Sequence, residues 1–90
     1  LYKLEIIGSK YEEISHYIMY ELGRGVTLFK IKGCYTNEEK VQIESICSPN
    51  QVVLIQKLIK KIEPKAFVKV IPVTNVWGKG RRFIDISTEE

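Results

Sequence analysis

The sequence holds little of what metal centres and covalent catalysis need. It contains two cysteines and one histidine in 90 residues. A closed zinc site uses about four ligands, so it would need several carboxylates here. Cys34 and Cys47 form no Cys-x-x-Cys pair, and no partner base is visible for either. The composition therefore predicts a domain without metal or cofactor that is not an enzyme.

Long apolar runs and dense positive charge are also absent. A membrane-spanning helix needs about 20 apolar residues, and no run in this sequence approaches that length. The formal net charge of +3 is small for a protein that binds phosphate backbones, and residues 40–47 lack the aromatic signature of an RNA-recognition motif. We therefore expect a piece that is soluble by itself and binds no nucleic acid. Because it begins at Leu1 and not at a methionine, we expect a fragment or a processed chain.

The cysteines and the histidine have plain interpretations. A reduced setting, with Cys34 and Cys47 as small hydrophobic residues, is the default prediction, and a disulfide between them stays open as the alternative. His16 falls beside the apolar line of its predicted helix, which favours an exposed surface position.

The hydrophobic pattern predicts four strands and two helices. Strand-like segments are residues 2–6, 26–31, 40–47 and 67–73, and helical spacing occupies residues 10–22 and the segment between Ser48 and Pro64. The order strand, helix, strand, strand, helix, strand is that of the ferredoxin-like fold. We predict one α+β domain, 1–90, with a four-stranded antiparallel sheet in the order 4-1-3-2, two helices on one face, and a possible short strand at 83–86.

Local signals mark the helix ends. Ser9 with Glu12, and Ser48 with Gln51, each have the spacing of a capping box. Gly23 is expected to end the first helix in a left-handed conformation.

The sheet face away from the helices needs a polar surface or a partner. The polar residues expected there are Lys3, Glu5, Gln42 and Glu44 of the two central strands. The last strand is expected to add either Val68 and Val70 or Phe67 and Ile71. We therefore predict a homo-oligomer, a dimer or trimer, formed through the sheet or its edges.

Glycine-flanked cations and a hairpin tip are the candidate ligand-binding residues. They are Arg24, Gly25 and Thr27 at the first corner, Gly33, Tyr35 and Thr36 at the tip, and Gly78, Lys79, Gly80 and Arg81 near the end. Glycine lets backbone N–H groups approach an anion, and arginine offers a planar fork of donors. Each group also has an interpretation without a ligand. Arg24 could bond carbonyls at the helix end, and Thr27 could be an ordinary strand residue. The hairpin tip could be polar for solubility alone, and residues 78–81 could form a solvated basic turn.

Four blocks carry a resemblance to a known family. They are Glu21–Leu28, Gly33–Thr36, Ile62–Val68 and Val76–Gly80. In this order they resemble the C-terminal soluble domain of the YitT family of bacterial membrane proteins, although Arg81 and Arg82 stand before Phe83 where the family pattern leads directly into an aromatic.

The resemblance implies a cytoplasmic domain appended to a multi-pass membrane region. It also implies an architecture akin to the PII signalling proteins, whose relatives bind nucleotides between subunits. The leading hypothesis is therefore a regulatory domain that binds a small anionic ligand or nucleotide at a subunit interface. The alternative is a ligand-free structural domain that only assembles the membrane protein.

Overall fold

The computed structural model describes residues 1–77. Its elements are β1 (Tyr2–Ile7), α1 (Tyr11–His16) continued by a π-helical turn (Tyr17–Glu21), β2 (Thr27–Lys32), β3 (Glu39–Cys47), α2 (Pro49–Ile62) and β4 (Phe67–Pro72). The predicted binding residues 78–81 and the predicted strand 83–86 lie outside the described residues. Neither helix in residues 1–77 is long and apolar enough to cross a membrane.

The four strands form one antiparallel sheet in the order β2-β3-β1-β4. This confirms the predicted ferredoxin-like fold and its strand order, with β2 and β4 at the edges. Pro72, which has no N–H to donate, closes the edge strand β4, where a proline is tolerated.

The core lies between the sheet and the two helices. Its buried apolar residues are Leu4, Ile6, Ile43 and Cys47 from the strands, Ile14 and Ile18 from the first helix, and Val52, Ile55 and Ile59 from α2. These are the faces that the alternation and the helical spacing predict. Full burial of one such aliphatic side chain contributes about 1.5–3 kcal/mol.

The strand register decides which residues occupy the outer face, the side of the sheet away from the helices. Phe67 pairs with Ile7 and Ile71 pairs with Lys3, so Phe67 and Ile71 are the pair that faces outward. Lysine and glutamate side chains cross this face in a chain of ion pairs, Lys69 to Glu5 at 3.3 Å and Lys3 to Glu5 at 3.4 Å. The hydrogen bond from Lys69 lowers the pKa of Glu5, with Lys3 acting in the same direction.

The first helix differs from its predicted form. Its last turn is π-helical, with the Leu22 N–H donating to the Tyr17 carbonyl at 3.2 Å. The predicted Ser9–Glu12 capping box is not formed, because no side chain of the helix itself caps this N-terminus. The Ser48–Gln51 capping box is present as predicted.

The cysteines are free, so the disulfide alternative is not formed. Cys47 is buried as a small core residue, whereas Cys34 is exposed, which makes the small-hydrophobe prediction wrong for Cys34. His16 is exposed as predicted, with its ring centroid 4.6 Å from that of Tyr20.

Candidate functional site

The first candidate site is the turn between the first helix and β2, residues 23–27, which we call the Arg24 corner. Gly23 has φ 67°, the left-handed conformation that glycine adopts without steric cost. The Arg24 N–H then donates to the Ile18 carbonyl at 3.0 Å, which closes the helix end. The chain reverses here, and the Arg24 side chain is directed to the beginning of α2.

Arg24 is held by a small network around Gln51. Arg24 Nε donates to Gln51 Oε1 at 2.7 Å, and the same oxygen accepts from the Ser48 N–H at 3.0 Å. Gln51 Nε2 donates to the Leu22 carbonyl at 3.2 Å. One glutamine therefore caps its own helix, satisfies the end of the first helix, and fixes the orientation of the guanidinium. Arg24 bonds an amide side chain, not the helix-end carbonyls that the interpretation without a ligand offered.

One guanidinium nitrogen lacks an acceptor. Arg24 Nη1 is buried and has no hydrogen-bond partner among residues 1–77. A buried charged donor without an acceptor is costly, and such groups in native proteins are usually satisfied by something. The Arg24 corner is therefore a place where an acceptor from outside the described chain would stabilise the protein.

The neighbours of Arg24 define what the corner can do chemically. Ser45 Oγ donates to the Gly25 carbonyl at 2.8 Å and lies 3.5 Å from Cys47 Sγ. Burial raises the pKa of the Cys47 thiol, against the smaller opposing effects of Ser45 and Arg24, which favours the neutral form over a nucleophilic thiolate. The Cys47 thiol beside the corner is therefore not an activated nucleophile. Gly25 is exposed, and a Cβ added there would meet no atom within 4 Å.

The hairpin tip lies at the opposite end of β2. The Asn37 N–H donates to the Gly33 carbonyl at 2.7 Å, Asn37 has φ 60°, and Tyr35 is fully exposed. Thr36 Oγ1 accepts from the Glu38 N–H at 3.4 Å. A six-residue strand spans about 20 Å, so a single chain does not bring the Arg24 corner and the tip together.

Thr27 and the end of β4 complete the surroundings of the Arg24 corner. Thr27 is exposed and pairs with Glu44 across the sheet. Strand β4 ends where Pro72 pairs with Tyr2, and Tyr2 pairs with Cys47. The end of β4 is therefore at the same end of the sheet as the Arg24 corner.

A cavity of about 480 Å³ lies at the far end of the sheet, and sequence reasoning missed it. Glu63 accepts there from the Ser9 N–H and the Lys10 N–H, both at 2.7 Å, and from Ser9 Oγ at 3.1 Å. Its carboxylate occupies the position in which the start of the first helix would hold an anion. Gly8 is a signal of this contact in the sequence. A Cβ at this position would lie 2.7 Å from Glu63 Oε1, so a residue without a side chain leaves room for the carboxylate.

The Glu63 contacts predict a pH dependence of stability. Partial burial tends to raise the pKa of Glu63, but hydrogen bonds from Lys10 and Ser9 outweigh it and hold the pKa below its ordinary value. A carboxylate with a lowered folded-state pKa adds stability above its unfolded pKa, and that stability is lost as pH falls through the folded value. The free energy of unfolding should therefore fall below about pH 4.5, and Glu63→Gln should flatten that fall in urea titrations at several pH values. The pKa of Glu5 is lowered as well, so the free energy of unfolding of Glu63→Gln should still depend on pH, but less steeply. Glu12→Gln is the control and should keep the original pH dependence. An unchanged pH dependence in Glu63→Gln contradicts the prediction.

No group of three or more histidine, cysteine, aspartate or glutamate side chains in residues 1–77 could hold a metal ion.

The chain is similar to several bacterial proteins. Residues 24–78 match the family described as uncharacterized protein conserved in bacteria (DUF2179). The chain is 39% identical over 75 residues to the UPF0750 membrane protein YpjC of Bacillus subtilis, covering 83% of this chain and 26% of that protein. It is 30% identical over 77 residues to the UPF0750 membrane protein YitT of Bacillus subtilis, covering 86% of this chain and 28% of that protein. It thus spans little more than a quarter of the length of these relatives.

Two solved structures share the fold. A DUF2179 protein from Eubacterium ventriosum has 29% sequence identity and a TM-score of 0.66, over 77% of this chain and 94% of that one. A functionally unknown protein from Pediococcus pentosaceus, at 15% identity and a TM-score of 0.65 over 87% of this chain and 95% of that one, supports the fold alone. The family match over more than half of the chain and the YitT and YpjC relatives confirm the resemblance that the four sequence blocks carry, and the chain belongs to the DUF2179 family.

Proposed function

We propose that this domain is a regulatory module of a bacterial membrane protein that binds a small anionic ligand, such as a nucleotide, where two copies of the domain meet. The observation that carries the proposal is the state of Arg24. Gln51 fixes its guanidinium through Nε at 2.7 Å, and the buried Nη1 has no acceptor in residues 1–77. A cation already oriented in this way loses little conformational freedom when an anion binds.

The proposal extends to the parent protein. The relatives are named membrane proteins and are several times longer than the matched segment. We propose that residues 1–90 form a single C-terminal domain on the cytoplasmic side, attached to the membrane region of the same chain, without enzymatic activity and without nucleic-acid binding. Gly25, Thr27 and the hairpin-tip residues Gly33, Tyr35 and Thr36 remain proposed contacts, as do Gly78, Lys79, Gly80 and Arg81.

Gly25→Ala tests the binding site separately from the fold. The added methyl group meets no protein atom within 4 Å, so the melting temperature without ligand should change little. If an anion approaches the Gly25 backbone, the same methyl group should weaken its binding by about tenfold or more, equivalent to about 1.4 kcal/mol. Thermal-shift and calorimetric titrations with inorganic phosphate, nucleoside mono-, di- and triphosphates and dicarboxylates measure both effects.

Two further variants sharpen that experiment. Arg24→Lys keeps the charge but loses the planar fork, and should also weaken binding. Lys57→Ala removes an exposed cation on α2, distant in sequence from the Arg24 corner, and should leave binding unchanged. A ligand present at 100 times its Kd adds about 2.7 kcal/mol to stability. Absence of stabilisation across the whole anion panel contradicts the proposed function.

A ligand-free assembly domain is the second candidate, and one specific observation favours it. Strand β2 has Leu28 51% exposed on its helix-side face and Phe29 41% exposed on the outer face, a surface typical of protein contacts. If assembly is the whole function, the oligomer forms without any anion, and the anion panel stabilises neither the unsubstituted chain nor Arg24→Lys.

A further inference from the structure

Strand β2 forms an exposed edge of the sheet. In residues 1–77, β2 pairs with β3 on one side, and its other edge has no neighbouring strand. Both faces of the strand are open, as the exposure of Leu28 and Phe29 shows. An open edge with apolar side chains is a template for another strand.

We infer that β2 pairs with β2 of a second copy in antiparallel orientation, and that this pairing completes the anion site from two chains. The ligand part of this inference rests on the proposed function. The pairing part rests on the edge alone.

The residues of β2 select one register. A two-fold axis perpendicular to the sheet sets residues of the same face opposite each other, so one residue of β2 pairs with its own copy. A centre at Phe29 or at Lys30 keeps more of the strand Thr27–Lys32 paired than a centre nearer either end. Like charges directly opposite each other are destabilising, whereas aromatic pairs stabilise. The register centred on Phe29 is therefore favoured, and it sets Lys30 opposite Leu28 of the partner subunit.

This register joins the residues that one chain keeps about 20 Å apart. Residues 24–26 and 33–34 lie beyond the ends of β2. Continued past those ends by the same count, the pairing sets Gly25 opposite Gly33 of the partner subunit and Arg24 opposite Cys34 of the partner subunit. Two glycines facing each other leave space that side chains would fill. Each dimer thus has two equivalent sites, one at each end of the paired strands.

Charge determines the class of ligand. Val26 lies opposite Lys32 of the partner subunit, so a second cation joins Arg24 within a few residues. Two converging cations and closely approachable backbone favour a phosphate group over a single carboxylate. The ligand class for this shared site is therefore a phosphate-bearing small molecule.

Disulfide trapping tests the pairing and its register without any ligand. Residues facing each other across an antiparallel pair have Cα atoms about 4.5–5.5 Å apart, within disulfide range. In a Cys34→Ser background, Phe29→Cys should give a covalent dimer on mild oxidation. Lys30→Cys is the matched control, because the two Lys30 positions are then about 8 Å apart and beyond that range. A Lys30→Cys dimer that forms as readily, or no dimer from Phe29→Cys, overturns the inferred pairing.

A second pair of variants links the pairing to the ligand. Phe29→Asp should weaken dimer formation about 100-fold in sedimentation experiments and weaken phosphate or nucleotide binding with it. Phe67→Asp changes the exposed phenylalanine of the opposite edge strand, β4, and should change neither. Dimer formation and anion binding that both survive Phe29→Asp overturn this inference but retain the proposed function, because the two copies then meet elsewhere. Anion binding by a Phe29→Asp protein that has lost its dimer overturns this inference together with the proposal that two copies share the ligand. If Phe29→Cys forms the covalent dimer efficiently but the protein binds no anion, the inferred pairing stands and the proposed function is contradicted.

Discussion

Replacing Gln51 with alanine should lower the free energy of unfolding by about 3 kcal/mol. Its side chain accepts from Arg24 Nε and the Ser48 N–H and donates to the Leu22 carbonyl. Each hydrogen bond contributes about 0.5–1.5 kcal/mol, and more where one partner is charged. The loss also leaves the Arg24 guanidinium with a second nitrogen lacking an acceptor, so the Arg24 corner and the start of α2 should loosen together.

Urea denaturation followed by circular dichroism measures this loss. Gln56→Ala, an exposed glutamine on the same helix, is the matched control and should change stability by less than about 0.5 kcal/mol. Gln51→Glu keeps an acceptor for Arg24 but loses the donor to Leu22, so an intermediate loss is expected. Equal stability of Gln51→Ala and Gln56→Ala would show that the network contributes nothing.

Adding one methyl group at Gly8 should destabilise the far end of the sheet by about 1–2 kcal/mol, through loss of the hydrogen bonds of Glu63. The new Cβ would lie 2.7 Å from Glu63 Oε1 and 2.9 Å from its carboxyl carbon. The carboxylate must then move away and lose its bonds to Ser9 and Lys10. Those N–H groups begin the first helix, so its first turn should lose order as well.

A double-mutant cycle separates this cause from a general effect of alanine. In the Glu63→Ala background the carboxylate is gone, so Gly8→Ala should then cost little, and the interaction energy of the cycle should approach the full cost of the single substitution. Denaturant unfolding of the four proteins gives each value. Additive costs would mean that the methyl group and Glu63 do not interact.

Local signals in the sequence predicted those parts of the structure that depend on near neighbours. Alternation placed Leu4 and Ile6 in the core, and Ser48 with Gln51 formed the capping box that their spacing indicates. Gly23 ended its helix in the left-handed region. In each case the physical cause lies within a few residues of the effect, so one short segment contains the evidence.

Contacts between distant segments were not predictable in the same way. Ser9 and Glu12 had the correct spacing for a cap, but Glu63, 54 positions from Ser9, occupies that place. The second role of Gln51, at Arg24, joins residues 27 positions apart. Periodicity could narrow the outer face of β4 to two pairs of residues, but only the strand register chose Phe67 and Ile71.

The π-helical turn at Tyr17–Glu21 determines the direction in which the chain leaves the first helix, and therefore the direction of Arg24. A turn with i to i−5 bonding contains one residue more than an α-helical turn of similar rise, and each residue of a helix rotates the chain by about 100°. A relative with one residue fewer in this segment would end its helix facing another direction and direct its arginine away from the start of α2. Helix length, more than the arginine alone, thus determines whether a sister protein can have the same corner.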